Sequence, residues 1–274
     1  TSIHHLTDTD KSKGAMQAAL GILRYSANSH PTTWARLSSP SCTQVAANAH
    51  DARLSDALEP VLRANTATRA ELDLSLAQAH LSLHQMGGLG IHSVLSRCPA
   101  SFARAAISAL PAARSLFPSL SDLSVATHPS THIASLRTTV HYVNVLLSLV
   151  SGVYKALDAN FHDHDHFGDK TYQFHPALPS SASVPSFSFL DDPASKLSSA
   201  TGRHFAAVVN HKEWIDFYNS ISHDHKRATV FLDACQPMAG DFLNLLPFSL
   251  ETVQPTTRLR YAVQRRLRLP HLSA

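Results

Sequence analysis

The chain has 274 residues, 44% of them hydrophobic and 16% charged, which is too apolar for an intrinsically disordered chain and enough for one large or two modest domains of roughly 100 to 200 residues each. A formal net charge of +3 and a pI near 8.8 exclude the domain-wide basicity of a dedicated nucleic-acid binder, so any such role must rest on where the charges sit. Cys42, Cys98 and Cys235 are far apart and form no CxxC pair, which excludes a disulfide framework and a cysteine zinc ribbon.

Aromatic residues are few and Ala, Leu and Ser dominate, a composition that favours helices over twisted sheets, so the fold class is read as all-α. Residues 14–28 place Met16, Ala19, Leu20 and Leu23 at helical spacing, and Pro31 then stops the pattern. In 43–62, Val45, Leu54, Leu58, Val61 and Leu62 can share a face of a helix that Pro60 is expected to divide. Residues 70–84 put Leu72, Leu76, Ala79 and Leu83 at steps of three and four, until Gly87-Gly88-Leu89-Gly90 ends the run. A further helix is expected over 102–116, and the Ser-rich stretch 118–129 reads as a connection.

Then comes the strongest helical signal, with Ile133, Leu136, Val140, Val143, Leu147, Val150 and Tyr154 forming a stripe that faces a core or a partner helix. The longest apolar stretch, 143–154, is shorter than the ~20 residues that span a bilayer, so no membrane association is expected. From 160 to about 201 the chain turns polar, with Pro176, Pro179, Pro185 and Pro193 among many serines, and reads as a long loop. Helical pattern resumes over 204–221, 227–234 and 256–267, ahead of Pro270. The predicted architecture is an irregular helical bundle in three parts: a helical region 1–157, a His/Pro/Ser-rich loop 158–201 and a C-terminal helical region 202–274. The start, Thr1-Ser-Ile-His-His, lacks an initiator Met and any leader pattern, so a soluble fragment is expected.

Three stretches, in order, carry a family likeness. The first joins Ala18-Ala-Leu-Gly-Ile-Leu-Arg24 to Trp34-Ala-Arg-Leu-Ser-Ser-Pro40 and His50-Asp51-Ala-Arg-Leu-Ser-Asp-Ala-Leu58. The second is Gln78-Ala-His-Leu-Ser-Leu-His-Gln-Met-Gly87-Gly-Leu-Gly-Ile91. The third runs from Phe231-Leu-Asp-Ala-Cys-Gln-Pro-Met-Ala-Gly-Asp-Phe-Leu-Asn-Leu-Leu-Pro247 to Arg265-Arg-Leu-Arg-Leu-Pro270. Together they resemble the region that follows the polymerase palm in non-LTR retrotransposon reverse transcriptases, with its GGLG signature and its arginine-rich passage near the C-terminus. Phe242 stands where that family usually has Trp, and the glycine expected before the last Leu-Pro is missing. The resemblance implies a non-catalytic fragment that makes auxiliary, sequence-independent contact with a DNA or RNA backbone, beside an upstream polymerase core in the same polyprotein.

Phe189-Leu-Asp191-Asp192 has the look of a metal-binding turn of a polymerase, but Pro193 follows at once and no apolar strand does. An N-cap followed by Pro at the first helical position suits it better. GxSxG, GxGxxG and GxxxxGK[ST] are all absent, so neither a hydrolase elbow nor a nucleotide cradle is supported, and no enzyme activity or cofactor is expected. The tract His162-Asp-His164-Asp-His166 reads first as a solvated loop, while its alternating imidazoles could also chelate a metal ion. Arg258, Arg260, Arg265, Arg266 and Arg268 crowd the C-terminal helix. They are either phosphate contacts or a solvated face with Leu259, Val263 and Leu267 turned inward, and if Arg265, Arg266 and Arg268 are solvated, replacing these three together should leave the fold intact. Two alternatives to nucleic-acid contact stay open: a helical interaction scaffold using the 133–154 stripe, and a His-rich metal binder.

Overall fold

The computed structural model describes residues 14–29, 31–62, 68–83, 86–117, 131–162, 199–236, 238–244 and 255–269. Among them are nine α-helices and no strand, so the chain is all-α. In chain order these are α1 Ala15–Gly21, α2 Thr32–Leu37, α3 Pro40–Leu62, α4 Arg69–Ala79, α5 Val94–Leu116, α6 Thr131–His162, α7 Ser199–Ile221, α8 His225–Ala234 and α9 Thr256–Arg266. No helix among the described residues is long and apolar enough to cross a membrane.

Local chemistry sets most boundaries. α1 runs straight into a π-helical turn over Ile22–Ala27, where Asn28 N–H reaches back to the Leu23 carbonyl at 3.0 Å. α4 opens on a capping box, in which Thr68 Oγ1 accepts from Glu71 N–H and the Glu71 carboxylate accepts from Thr68 N–H at 2.8 Å. α5 begins at Val94, eight residues before the expected start, and Pro99 is accommodated within the helix. Pro60 does not divide α3, because so near the C-terminal end it removes only one backbone hydrogen bond. Val45 is 82% exposed rather than part of the buried face, since Thr43, Ala47, Leu54 and Leu58 fix a face that position 45 lies opposite at 100° per residue.

The helices enclose several apolar clusters, and these cross the chain. Met16 and Leu20 of α1 and Leu23 of the π turn meet Leu54, Leu58 and Leu62 of α3, Leu72 and Leu76 of α4, Leu259 and Val263 of α9, and Leu267 just after it. Phe102, Ala103 and Ile107 of α5 pack with Leu136, Val140, Val143 and Leu147 of α6 and Phe205, Val208 and Val209 of α7. A third cluster is aromatic: Tyr154, Trp214, Phe217 and Phe231, with Tyr154 and Trp214 edge to face at 5.9 Å and the Tyr154 hydroxyl 2.8 Å from His211 Nδ1. The helices before 158 and after 201 therefore share their cores. The 133–154 stripe, from Leu136 onward, is used inside the chain, against α5 and α7.

The segments quoted for the family likeness converge on the glycine loop after α4. Gly87 and Gly90 have φ of +74° and +73°, and a Cβ at Gly88 would lie 2.1 Å from the Leu81 carbonyl oxygen. Gln78 donates to the carbonyls of Gly87 and Arg266, and the Phe231 ring closes over Gly87. Arg266 donates through Nε to the Gly88 carbonyl at 3.1 Å, through Nη1 to Ala239 at 3.0 Å and through Nη2 to Leu83 at 3.1 Å. Asp51 accepts from Ser93 Oγ and from the backbone N–H groups of Val94 and Leu95, which caps α5.

Candidate anion-binding cleft

Of the five C-terminal arginines, Arg258 and Arg265 project into solvent. Arg260 is buried, and Leu259, Val263 and Leu267 do turn inward. Arg266 is 6% exposed and saturated with backbone carbonyls, and burial pushes its guanidinium down to about 10, still a cation at neutral pH. Arg268 is half-buried, with φ +52° and a 3.4 Å contact to the Asp224 carboxylate. The expectation that Arg265, Arg266 and Arg268 could be replaced together without harm to the fold is corrected by Arg266, whose loss would orphan three carbonyls. His162 ends α6, while His164, His166 and the Asp191-Asp192 pair lie outside the described residues. Among the described residues no three His, Cys, Asp or Glu side chains come together as a metal site would require.

A denser concentration of positive charge lies elsewhere. A cavity of about 290 Å³ is bounded by the π turn after α1, by α2, by the start of α5 and by Ala206 of α7, and its wall contains Arg24, Arg36, Arg97 and Arg104. Among the described residues no acidic side chain lines it. A neighbouring pocket of about 360 Å³ shares Arg24, Asn28 and His92 and adds Asn210, Ser82 and Tyr25, so the two form one basic cleft. Arg97 and Arg104 are seven residues apart on α5, two helical turns, which places them on one face about 10 Å apart along the axis. Arg24 sits in the π-helical turn, a distortion frequent at functional sites.

The four guanidiniums are held differently. Arg24 donates to the Leu243 carbonyl at 2.7 Å and to Asn244 Oδ1 at 3.1 Å, which ties the cleft to the third family-like segment. Burial lowers its pKa, but it stays charged. Arg97 donates through Nη2 to Asn210 Oδ1 and Ser82, and its Nε–H is out of solvent with no protein acceptor. Burial pushes Arg97 down to about 10, opposed by the Glu213 carboxylate. Arg36 and Arg104 are exposed at the rim. His92 is held neutral, its pKa pushed down to about 3 by burial first and by Arg97 next, and its Nδ1 is also without a protein partner.

Two acids stand behind the wall, and both are engaged. Asp51 caps α5, so the helix N-terminus beside the cleft is already neutralised and contributes no further anion site. Glu213 of α7 accepts from Ser96 Oγ, and its second oxygen, Oε2, is buried without a partner. The cleft is thus a patch of cations with one buried guanidinium N–H left over, an arrangement suited to binding an anion. Linear charge density pointed to 258–268 and missed this site, because its arginines are spread over 81 residue positions; only the seven-residue step from Arg97 to Arg104 was visible as a shared helix face.

No protein-family model, curated protein or solved structure matches the chain.

Proposed function

We propose that this protein is a non-catalytic helical unit that contacts the phosphate backbone of DNA or RNA without reading its sequence, as an auxiliary part of a retroelement reverse transcriptase-like protein whose polymerase core lies upstream in the same polyprotein. The observation that carries the nucleic-acid part is the acid-free cleft with its four arginines. Guanidinium groups match phosphate oxygens in charge and in planar geometry, and backbone contacts of this kind give affinity without base readout. Arg258 and Arg265, both exposed, are available for peripheral phosphate contacts. The retroelement part is supported by the family-like residues alone. The scaffold alternative loses the surface it relied on, since Leu136, Val140, Val143, Leu147, Val150 and Tyr154 are buried within the chain.

Fluorescence anisotropy with a labelled single-stranded oligonucleotide at several salt concentrations tests the reading. If the cleft together with Arg258 and Arg265 neutralises about three or four phosphate charges, log affinity should fall against log salt with a slope of about −2 to −3, at ~0.7 per phosphate on single strands. Two oligonucleotides of unrelated sequence should give the same slope and similar affinity. Strong preference for one sequence, or no binding at low salt, would overturn it. A polymerase core encoded in frame upstream is the corresponding test of the retroelement reading.

A further inference from the structure

We infer that the Arg24–Arg36–Arg97–Arg104 cleft receives the terminal phosphomonoester of a nucleic-acid strand, rather than a run of internal phosphodiesters. This rests on the reading of the chain as a nucleic-acid-contacting protein. The first argument is the density of charge. An internal phosphodiester carries one negative charge, and a strand passing over a surface meets cations spaced along a track. Here four guanidiniums line a single cavity of about 290 Å³, at the small end of the range for discrete ligand sites. That part of the cleft holds a phosphate with part of its sugar, and the adjoining pocket adds no further arginine for a second phosphate. A terminal monoester carries about 1.5 to 2 negative charges at neutral pH, so it balances more of the cluster than any internal linkage.

The second argument is the set of polar atoms left over in the wall. Arg97 Nε and His92 Nδ1 are both out of solvent without a protein partner, and both residues line the cavity. Buried polar atoms are nearly always satisfied, so the Arg97 Nε–H marks a place where a ligand oxygen would complete the structure. His92 keeps a hydrogen bond to the backbone of His80, and it is neutral because burial and the neighbouring Arg97 and Arg24 disfavour its cation. Asn28, on the shared wall of the two pockets, supplies a further polar group beside them. The apolar floor, with Ala35, Cys98, Ala100 and Ala206, carries no acid that would repel the dianion.

The test uses one oligonucleotide sequence in three forms: with a 5′-phosphate, with a 3′-phosphate, and with hydroxyls at both ends. Direct binding is measured for each, and inorganic phosphate serves as competitor. The expected result is that one phosphorylated form binds about tenfold tighter than the dihydroxyl form. Millimolar inorganic phosphate should erase that advantage, and Arg36→Ala with Arg104→Ala should abolish it; both positions are exposed, so the fold survives. The His92 imidazole resonances should shift on adding the preferred form, which reads the site without relying on a variant. If all three forms bind alike and the double variant weakens them equally, the cleft is an internal backbone track: this inference falls and the proposed function stands. Inhibition by inorganic phosphate with no preference among the oligonucleotides makes it a site for free phosphate, which also overturns the inference. If none of the three binds, both readings fall together.

Discussion

Glu213 stands in the unusual position of a carboxylate pressed against the back of a basic wall. Desolvation raises its pKa from an ordinary 4.5 to about 7, against the opposing pull of the Ser96 hydroxyl and Arg97. The sign of the consequence follows from proton counts. Between about 4.5 and 7 the unfolded chain releases the proton while the folded chain keeps it, so this group makes stability fall as pH rises through that window, and the deficit is constant above it. Glu213→Gln keeps an acceptor for Ser96 and removes the penalty. Thermal melts should therefore show the variant more stable than the parent at pH ~8, by on the order of 1 to 2 kcal/mol, and nearly equal to it at pH ~4. Equal stabilities at both pH values would mean that the carboxylate is ionised in the fold at little cost.

Arg266 and Arg265 are adjacent, and only the former is built into the protein. Arg266→Ala leaves the carbonyls of Gly88, Ala239 and Leu83 without their donor, and it should destabilise the chain by about 3 kcal/mol in urea unfolding. Arg265→Ala, at an exposed site, should stay within about 0.5 kcal/mol of the parent. Comparable losses from both would show that the guanidinium network is not what matters there.

At the scale of elements, the glycine loop after α4 is the least replaceable piece. Gly88 N–H donates to Ser82 O, Leu89 and Ile91 both reach the Ala79 carbonyl, and Gly90 N–H reaches Leu81. The chain folds back so tightly that any side chain at 88 would strike backbone. Gly88→Ala should cost roughly 3 kcal/mol or more, because the obstacle is the Leu81 carbonyl and its neighbours, which cannot rotate away. A second element-level prediction concerns the start of α5. Asp51→Ala removes three bonds to the N-terminal turn and should cost about 1 to 2 kcal/mol, while Asp51→Asn should recover part of that. Circular dichroism melts of the two variants check it. Helix α6 was legible in the sequence because its buried positions repeat without interruption from Leu136 to Tyr154. The start of α5 was not, since its local cap, Ser93, is one serine among many, and the Asp51 carboxylate that completes it comes from 43 residues away.

At the scale of the whole molecule, cores that cross the chain explain why its charge was misread. Arginines 258 to 268 are dense in sequence because α9 wedges between α1, α3 and α8, and two of them, Arg260 and Arg266, are buried there. The cleft arginines are dilute in sequence and dense in space, because the packing of α2 on α5 and the convergence of the family-like segments bring α1, α2 and α5 together. Sequence periodicity reports which face of a helix is buried; it does not report which charged faces meet. The three-part division 1–157, 158–201 and 202–274 followed composition, which changes at the polar stretch while the packing continues across it.

The most direct measurement is the salt dependence of single-stranded oligonucleotide binding for the parent, for Arg36→Ala/Arg104→Ala and for Arg258→Ala/Arg265→Ala. All four positions are exposed, so the variants differ in charge and not in fold. The cleft pair should flatten the slope of log affinity against log salt by about 0.7 to 1.4, one to two phosphate charges at ~0.7 each, and the C-terminal pair should flatten it by less than half as much. A slope carried by Arg258 and Arg265, with the cleft variant indistinguishable from the parent, would contradict the account.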